Sequence, residues 1–238
     1  AIEDGQAQLD AAGVLSASGW LGSPTLGGLS WLAHSTMASG MWIDSQLAYN
    51  LLITGDRAAL PRLFARAGYD TLIVAPQIAS LWPERAYFGF DRTLFATDLG
   101  YRGKPFGWVT MPDQYTLSAF EQLKRPAGAT RPLFTEIDLA SSHAPWTPLP
   151  QGQVEWDRIG DGTVFDPWTE EGEPSHVMWL DGDKVRAAYI RSIDYSLRTV
   201  VNWAATYLDD HTIAIVLGDH QPAPIVIGDS ADRAVPVH

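Results

Sequence analysis

The stretch that decides the fold begins Lys184-Val185-Arg186-Ala187-Ala188-Tyr189 and continues to about Leu208. It then reads Thr212-Ile213-Ala214-Ile215-Val216-Leu217-Gly218-Asp219-His220. Val185, Tyr189, Ile193, Leu197, Val201 and Ala204 recur at three- and four-residue spacings, which predicts a long helix with one apolar stripe turned to a core. An apolar strand is predicted directly after it, with polar residues at the strand's carboxyl end, the arrangement in which α/β proteins gather ligands. Working outward, Thr71-Leu72-Ile73-Val74 reads as a buried parallel strand and Leu133 to Leu139 as another. Helices are predicted over 2–12, 43–54, 58–67 and about 113–124, with an extended stretch through Trp20-Leu21. Long aromatic loops run from Trp82 to Tyr115, and 150–182 is polar and irregular, its Glu170, Glu171 and Glu173 forming a solvated acidic loop. The expectation is one α/β domain over residues 1–238, with a mostly parallel central sheet and helices on both faces.

Composition narrows the function. The 238 residues carry a net charge of −12, which argues against a nucleic-acid or anionic-membrane binder because phosphate contacts need clustered basic side chains. Cysteine is absent, which removes disulfides, zinc–thiolate sites and thiol catalysis. No apolar stretch approaches the ~20 residues of a membrane span, and no signal peptide is present. The chain opens on Ala1-Ile2-Glu3-Asp4 and closes on the β-like run Ala234-Val235-Pro236-Val237-His238. Both ends read as cut, so a piece of a longer protein is expected.

Three places could carry chemistry. Asp219 and His220 leave a strand together and can offer one ion an oxygen and a nitrogen; otherwise Asp219 caps a turn and His220 is a polar loop residue. Ser30 opens a helix after the loop Gly22-Ser23-Pro24-Thr25-Leu26-Gly27-Gly28, where backbone N–H groups and the helix dipole stabilise an anion. A metal on that hydroxyl would make it a nucleophile, whereas the plainer reading is an N-cap serine. Thr25, Ser35 and Thr36 are rival hydroxyls, with Thr25 the first of them. His143 follows a strand and precedes Ala144-Pro145-Trp146, where it could bind an oxyanion or protonate a leaving group, or be a loop histidine with one hydrogen bond. His34 either packs or supports the site from one turn beyond Ser30, and His176, His211 and His238 read as structural.

In this order the motifs resemble the alkaline phosphatase superfamily, in its sulfatase-like branch with lipoteichoic acid synthases and other phosphoglycerol or phosphoethanolamine transferases. Ser141-Ser142-His143-Ala144-Pro145-Trp146 is similar to that branch's Ser-Asn-His-x-Pro-Phe segment, and Ile213 to His220 is similar to its Gly-Asp-His strand end. Ser23 through Gly40 falls where the family has its nucleophile loop and following helix. The Trp82-Pro83-Glu84-Arg85 region falls at its substrate contacts. The resemblance spans roughly residues 20–225. It implies a three-layer α/β sandwich, Ser30 or Thr25 as nucleophile, and one divalent ion (Mn, Zn, Mg or Ca) on Asp219 and His220. It further implies His143, Trp82 and Arg85 as substrate-binding residues. The substrate implied is small or lipid-linked and anionic, with an extracytoplasmic location and membrane attachment only through segments outside this chain.

The departures matter as much. A formylglycine sulfatase needs Pro or Ala two residues after its Cys or Ser and Arg four after; Leu32 and His34 stand there. The family's metal-binding carboxylate after the first strand is also missing, and Glu3 is a poor substitute because no strand upstream positions it. The leading expectation is therefore a metal-dependent phosphotransferase or phosphodiesterase with a covalent intermediate, acting on a phospholipid- or glycan-type phosphodiester. A sulfate-ester hydrolase is the second reading. The third is an inactive module binding a glycan or a partner through its aromatic loops.

Overall fold

Thr71 to Val74 occupies the middle strand of a parallel sheet, as a run that is apolar on both faces requires. The computed structural model describes residues 2–230 and 232–238; the side chains of Ile2 and Glu3, and with them the reading of Glu3, lie outside the described residues. The elements in order are α1 (Ile2–Ala11), β1 (Gly19–Gly22), α2 (Ser30–Ser39), α3 (Gln46–Thr54), α4 (Leu60–Arg66), β2 (Asp70–Ala75), α5 (Arg85–Phe88) and β3 (Arg92–Phe95). They continue with α6 (Asp113–Leu123), β4 (Leu133–Ile137), α7 (Ser175–Met178), α8 (Gly182–Tyr207), α9 (Pro224–Ile227) and β5 (Ala234–Val237). Two 3-10 turns, Trp156–Arg158 and Thr163–Glu170, order part of the segment expected to be irregular.

The sheet runs β3-β2-β4, with both pairings parallel and Leu72 opposite Arg92 on one side and Thr135 on the other. Helices cover both faces. Leu72 and Val74 join Leu117 and Phe120 of α6, Trp203 and Ala204 of α8 and Leu9 of α1 in the main core. Ile73, on the alternate face, is equally buried, and α4 packs on β2. A second core gathers Leu32 of α2 with Tyr49, Leu52, Tyr87 and Phe88.

Two expectations need correction. The run 212–217 is extended but is no strand of the parallel sheet. Leu217 instead forms an antiparallel bridge with Val237, and Val216 and His238 exchange backbone hydrogen bonds of 2.8 Å. Ile213 is 92% exposed, so the apolar pattern there does not report burial. In α8 the buried residues are Val185, Ala188, Ser192, Tyr195, Thr199, Trp203 and Ala204; Val185 and Ala204 belong to the expected apolar stripe, and the others are turned about one residue from it. Ser192 and Thr199 tolerate burial because their hydroxyls donate to the Tyr189 and Tyr195 carbonyls one turn back.

Candidate active site

A short antiparallel pairing of β1 with β5 aims the chain from Gly22 into the loop before α2. Ser23 N–H then donates to Arg233 O at 2.9 Å, and the Arg233 guanidinium donates to Pro24 O. The loop is tied to the Asp219 segment by three links. Ser23 Oγ donates to Asp219 O at 2.6 Å, Gly27 N–H donates to Gln221 O at 2.8 Å, and Leu26 bridges Gln221. Gly27 has φ 70° and lies so near Ala223 that a Cβ would come within 3.2 Å of its Cα, so glycine is required there.

These ties deliver Ser30 to the Gly-Asp-His end. Ser30 Oγ lies 3.2 Å from His220 Nε2. Ser30 is the first residue of α2 and not its cap; the cap position is Leu29, in the left-handed region at φ 65°, with no side-chain cap. His220 Nδ1 is 2.8 Å from Gln221 O, a pure acceptor, so the proton of the neutral ring sits on Nδ1 and the lone pair on Nε2. That lone pair faces Ser30 Oγ and also Asp219 Oδ2 at 3.3 Å. Two acceptors in that proximity suit a cation between them, and the nitrogen–oxygen donor set fits Mn, Zn or Mg. Asp219, His220 and Ser30 would hold such an ion.

One turn along α2, the same helix face presents His34. Its Nδ1 lies 2.9 Å from Glu136 Oε1 and 3.5 Å from Asp138 Oδ1. Glu136 and Asp138 alternate along the end of β4 and therefore point to one face. The three residues offer ligand atoms within 4.8 Å of one another, a set able to coordinate a divalent ion. Burial acts to lower the His34 pKa, but Asp138, Glu136 and Asp219 outweigh it and raise it to about 10. Burial raises the Asp138 pKa, with the His34 charge opposing. The carboxylates of this cluster went unrecognised in the sequence, although their two-residue spacing in a predicted strand was visible there.

The remaining candidates lie as follows. Thr25 is buried and its Oγ1 has no hydrogen-bond partner. Ser35 and Thr36 donate to carbonyls of their own helix, which occupies them structurally. His143 is exposed, packs at a tilt of 31° on Trp108 with ring centroids 4.3 Å apart, and directs Nδ1 to Ala144 O. The turn that carries it is clamped from below: buried Asp113 accepts from the Ala140 and Ser141 N–H groups, both at 2.8 Å, and from Ser196 Oγ at 2.6 Å. Trp82 stacks on Phe88 and packs edge-on against Phe95, and Arg85 is exposed at the start of α5. Among the described residues, no hydrogen bond or ion pair joins His143, Trp82 or Arg85 to Ser30, Asp219 or His220.

Comparison with known proteins places the fold. The fold is similar to that of the lipoteichoic acid synthase LtaP from Listeria monocytogenes, with TM-score 0.60 and 16% identity over 97% of this chain and 58% of that one. It is also similar to an alkaline phosphatase superfamily protein from Vibrio parahaemolyticus, with TM-score 0.58 and 16% identity over 97% of this chain and 56% of that one. The chain thus spans just over half the length of either solved structure. No curated protein matches it. The sulfatase family model matches residues 37–228, well over half of the sequence, and the chain belongs to the sulfatase family.

Proposed function

We propose that this domain cleaves or transfers a tetrahedral anionic ester, with the Ser30 hydroxyl as nucleophile. The observation that carries this reading is Ser30 Oγ at 3.2 Å from the lone pair of His220 Nε2, beside Asp219. A divalent ion bound there lowers the pKa of a nearby hydroxyl and neutralises charge on the ester oxygens. Ser30 oxygen forms a bond to the central phosphorus or sulfur as the bond to the leaving alcohol breaks. Water or a second alcohol then attacks the same centre, its bond to the Ser30 oxygen breaks, and the serine hydroxyl is restored as the free acid or a new ester leaves. Ser30 is the first residue of α2, so the unpaired N–H groups of that helix end would lie close to an anion attacked by its hydroxyl. His143, with Nε2 left free, is the group assigned to the leaving oxygen or the ester oxygens. Trp82 and Arg85 enter the same reading as substrate contacts.

Two observations divide the ester class. Family membership favours a sulfate ester. Leu32 and His34, at the positions where formylglycine formation needs Pro or Ala and Arg, leave Ser30 a plain alcohol, which favours a phosphodiester. An apolar-tailed substrate is supported by the surface around Ser30. Leu29 and Trp31 flank it and are exposed, as are Met37, Met41 and Trp42, and residues 11–43 contain no Asp, Glu, Lys or Arg. None of the described helices is long and apolar enough to cross a membrane, so an extracytoplasmic, membrane-tethered setting would rest on other segments.

The test compares aryl sulfate with aryl phosphodiester turnover in the Mn²⁺-supplied protein and in Ser30→Ala. A loss of roughly a thousandfold or more is expected on the favoured ester. Unchanged turnover in Ser30→Ala removes Ser30 from the role, and no turnover of either ester leaves the inactive binding module as the reading.

A further inference from the structure

We propose that the uncharged face built from β1, α2 and α3 docks on a lipid bilayer whose headgroups carry no net charge. Of the 16 basic and 28 acidic side chains, only Asp44 falls within residues 11–55. The same stretch exposes large apolar side chains. Trp20 is 75% exposed, Leu47 69% and Leu51 66%, and Leu29, Trp31 and Trp42 are about half exposed. Single exposed leucines are ordinary on a protein surface, whereas apolar groups gathered on one face mark an interaction site. The fold gathers them. Trp20 and Gly22 point to one side of β1, and the Trp42 ring lies 3.7 Å from where a Cβ on Gly22 would stand, so Trp42 covers the side that carries Trp20. Trp31 Nε1 donates to Gln46 Oε1 at 3.2 Å, which holds that indole against the first turn of α3. Leu47 and Leu51 follow one turn apart on the exposed side of α3, while Tyr49 and Leu52 face the core.

Charge and side-chain type select the occupant. The stretch offers no Lys or Arg to an anionic headgroup, and the net charge of −12 repels one, so attraction comes from apolar burial alone and a surface without net charge is the match. A second copy of the chain would bring another −12 against a face that holds no positive charge to offset it. Tryptophan also prefers the boundary between headgroups and hydrocarbon, where its ring is buried and its N–H meets polar groups. The indole N–H groups of Trp20 and Trp42 have no hydrogen-bond partner among the described residues, which leaves them for headgroup oxygens. Leu29 and Trp31 flank Ser30, so the face borders the candidate active site. A lipid-anchored ester would reach Ser30 there without leaving the bilayer, and this consequence alone rests on the function proposed above.

The experiment measures co-sedimentation of the full chain with vesicles of phosphatidylcholine, and with vesicles of equal parts phosphatidylcholine and phosphatidylglycerol. Quenching of tryptophan emission by phosphatidylcholine brominated in its tails reports insertion. The chain is expected to bind the first vesicles more tightly than the second, with its emission quenched. Trp20→Ser combined with Leu47→Ser and Leu51→Ser should weaken binding by roughly a hundredfold or more. Ile213→Ser, at an exposed apolar position outside the face, should leave it unchanged. No binding to phosphatidylcholine, tighter binding to the anionic vesicles, or an equal loss with Ile213→Ser overturns the proposal. A concentration-dependent dimer that the triple variant abolishes, with no vesicle binding, gives the face to a second copy and also overturns it. Quenching is read on the unmutated chain, so it decides the question even where the triple variant folds poorly. Ester turnover without vesicle binding overturns the docking surface and leaves the proposed function standing; vesicle binding without turnover does the reverse.

Discussion

Ser23 Oγ donates a 2.6 Å hydrogen bond to the backbone carbonyl of Asp219, joining two residues 196 positions apart. The same hydroxyl accepts from Thr25 N–H at 3.3 Å. A buried serine thus fastens the loop before Ser30 to the residue that precedes His220. The placement of Ser30 against His220 follows from this tie and from the pairing of Gly27 and Leu26 with Gln221.

Ser23→Ala should therefore weaken both fold and site. Losing the hydroxyl leaves the Asp219 carbonyl and the Thr25 N–H short of a partner, at a cost of about 1–3 kcal/mol. Because Asp219 is then less firmly held, Mn²⁺ affinity should fall by roughly tenfold or more. Urea denaturation and calorimetric titration check the two effects. A stable variant with undiminished affinity would show that the tie does not position Asp219.

Leu29 holds a backbone conformation at φ 65° and ψ 40° that costs a side chain roughly 1–2 kcal/mol. It sits one residue before Ser30 and is half exposed, so little packing is at stake. Leu29→Gly should leave stability unchanged or raise it by up to ~1 kcal/mol, while Leu29→Val should lower it by about 1 kcal/mol or more. Thermal unfolding ranks the three proteins. Valine as stable as leucine would mean that the turn into α2 is not left-handed.

Much of this was legible in the sequence, and what was not has physical causes. The run Thr71 to Val74 announced a buried parallel strand because Leu72, Ile73 and Val74 follow one another without a polar break, a pattern that suits burial on both faces. Helices were read at 43–54, 58–67 and about 113–124 and stand there, and the order of the motifs grouped the hydroxyl loop with Gly-Asp-His, which the structure brings together at Ser30 and His220. The strand expected over 212–217 failed because an apolar run says nothing about its partner. Here the carboxyl-terminal β5 takes up the backbone groups around Leu217, and Ile213 and Ile215 stay in solvent. Glu136 and Asp138 escaped notice because their meaning depends on His34, 102 residues earlier for Glu136, and only tertiary folding supplies that contact. The offset of the α8 stripe has a similar origin: hydroxyls that bond within the helix bury as readily as methyl groups.

Asp113 yields the pH-dependent prediction. It is fully buried at the start of α6, and burial raises its pKa although hydrogen bonds from Ser196, Ser141 and Ala140 oppose the shift. Its own N–H donates to Ser141 Oγ at 2.9 Å, so it clamps the turn that carries His143 from both directions. Asp113→Ala should cost about 3 kcal/mol or more, since it strands three buried donors. Asp113→Asn keeps an oxygen for the two N–H groups and offers an amide to Ser196, and should cost far less. The folded protein holds the Asp113 proton to a higher pH than the unfolded chain does. Between the ordinary carboxylate value and the raised one, the folded state therefore binds more protons, and its stability falls as pH rises through that window. Tyr195, the buried phenol whose own pKa is raised by burial and by the Asp113 charge, stays neutral across it and adds no slope. Asparagine does not titrate, so relative to the unmutated chain Asp113→Asn should gain stability with rising pH through the window and hold a constant difference above it. Urea unfolding at a series of pH values reads this directly, and two parallel stability curves would show that Asp113 ionises in the folded protein as it does in the unfolded chain.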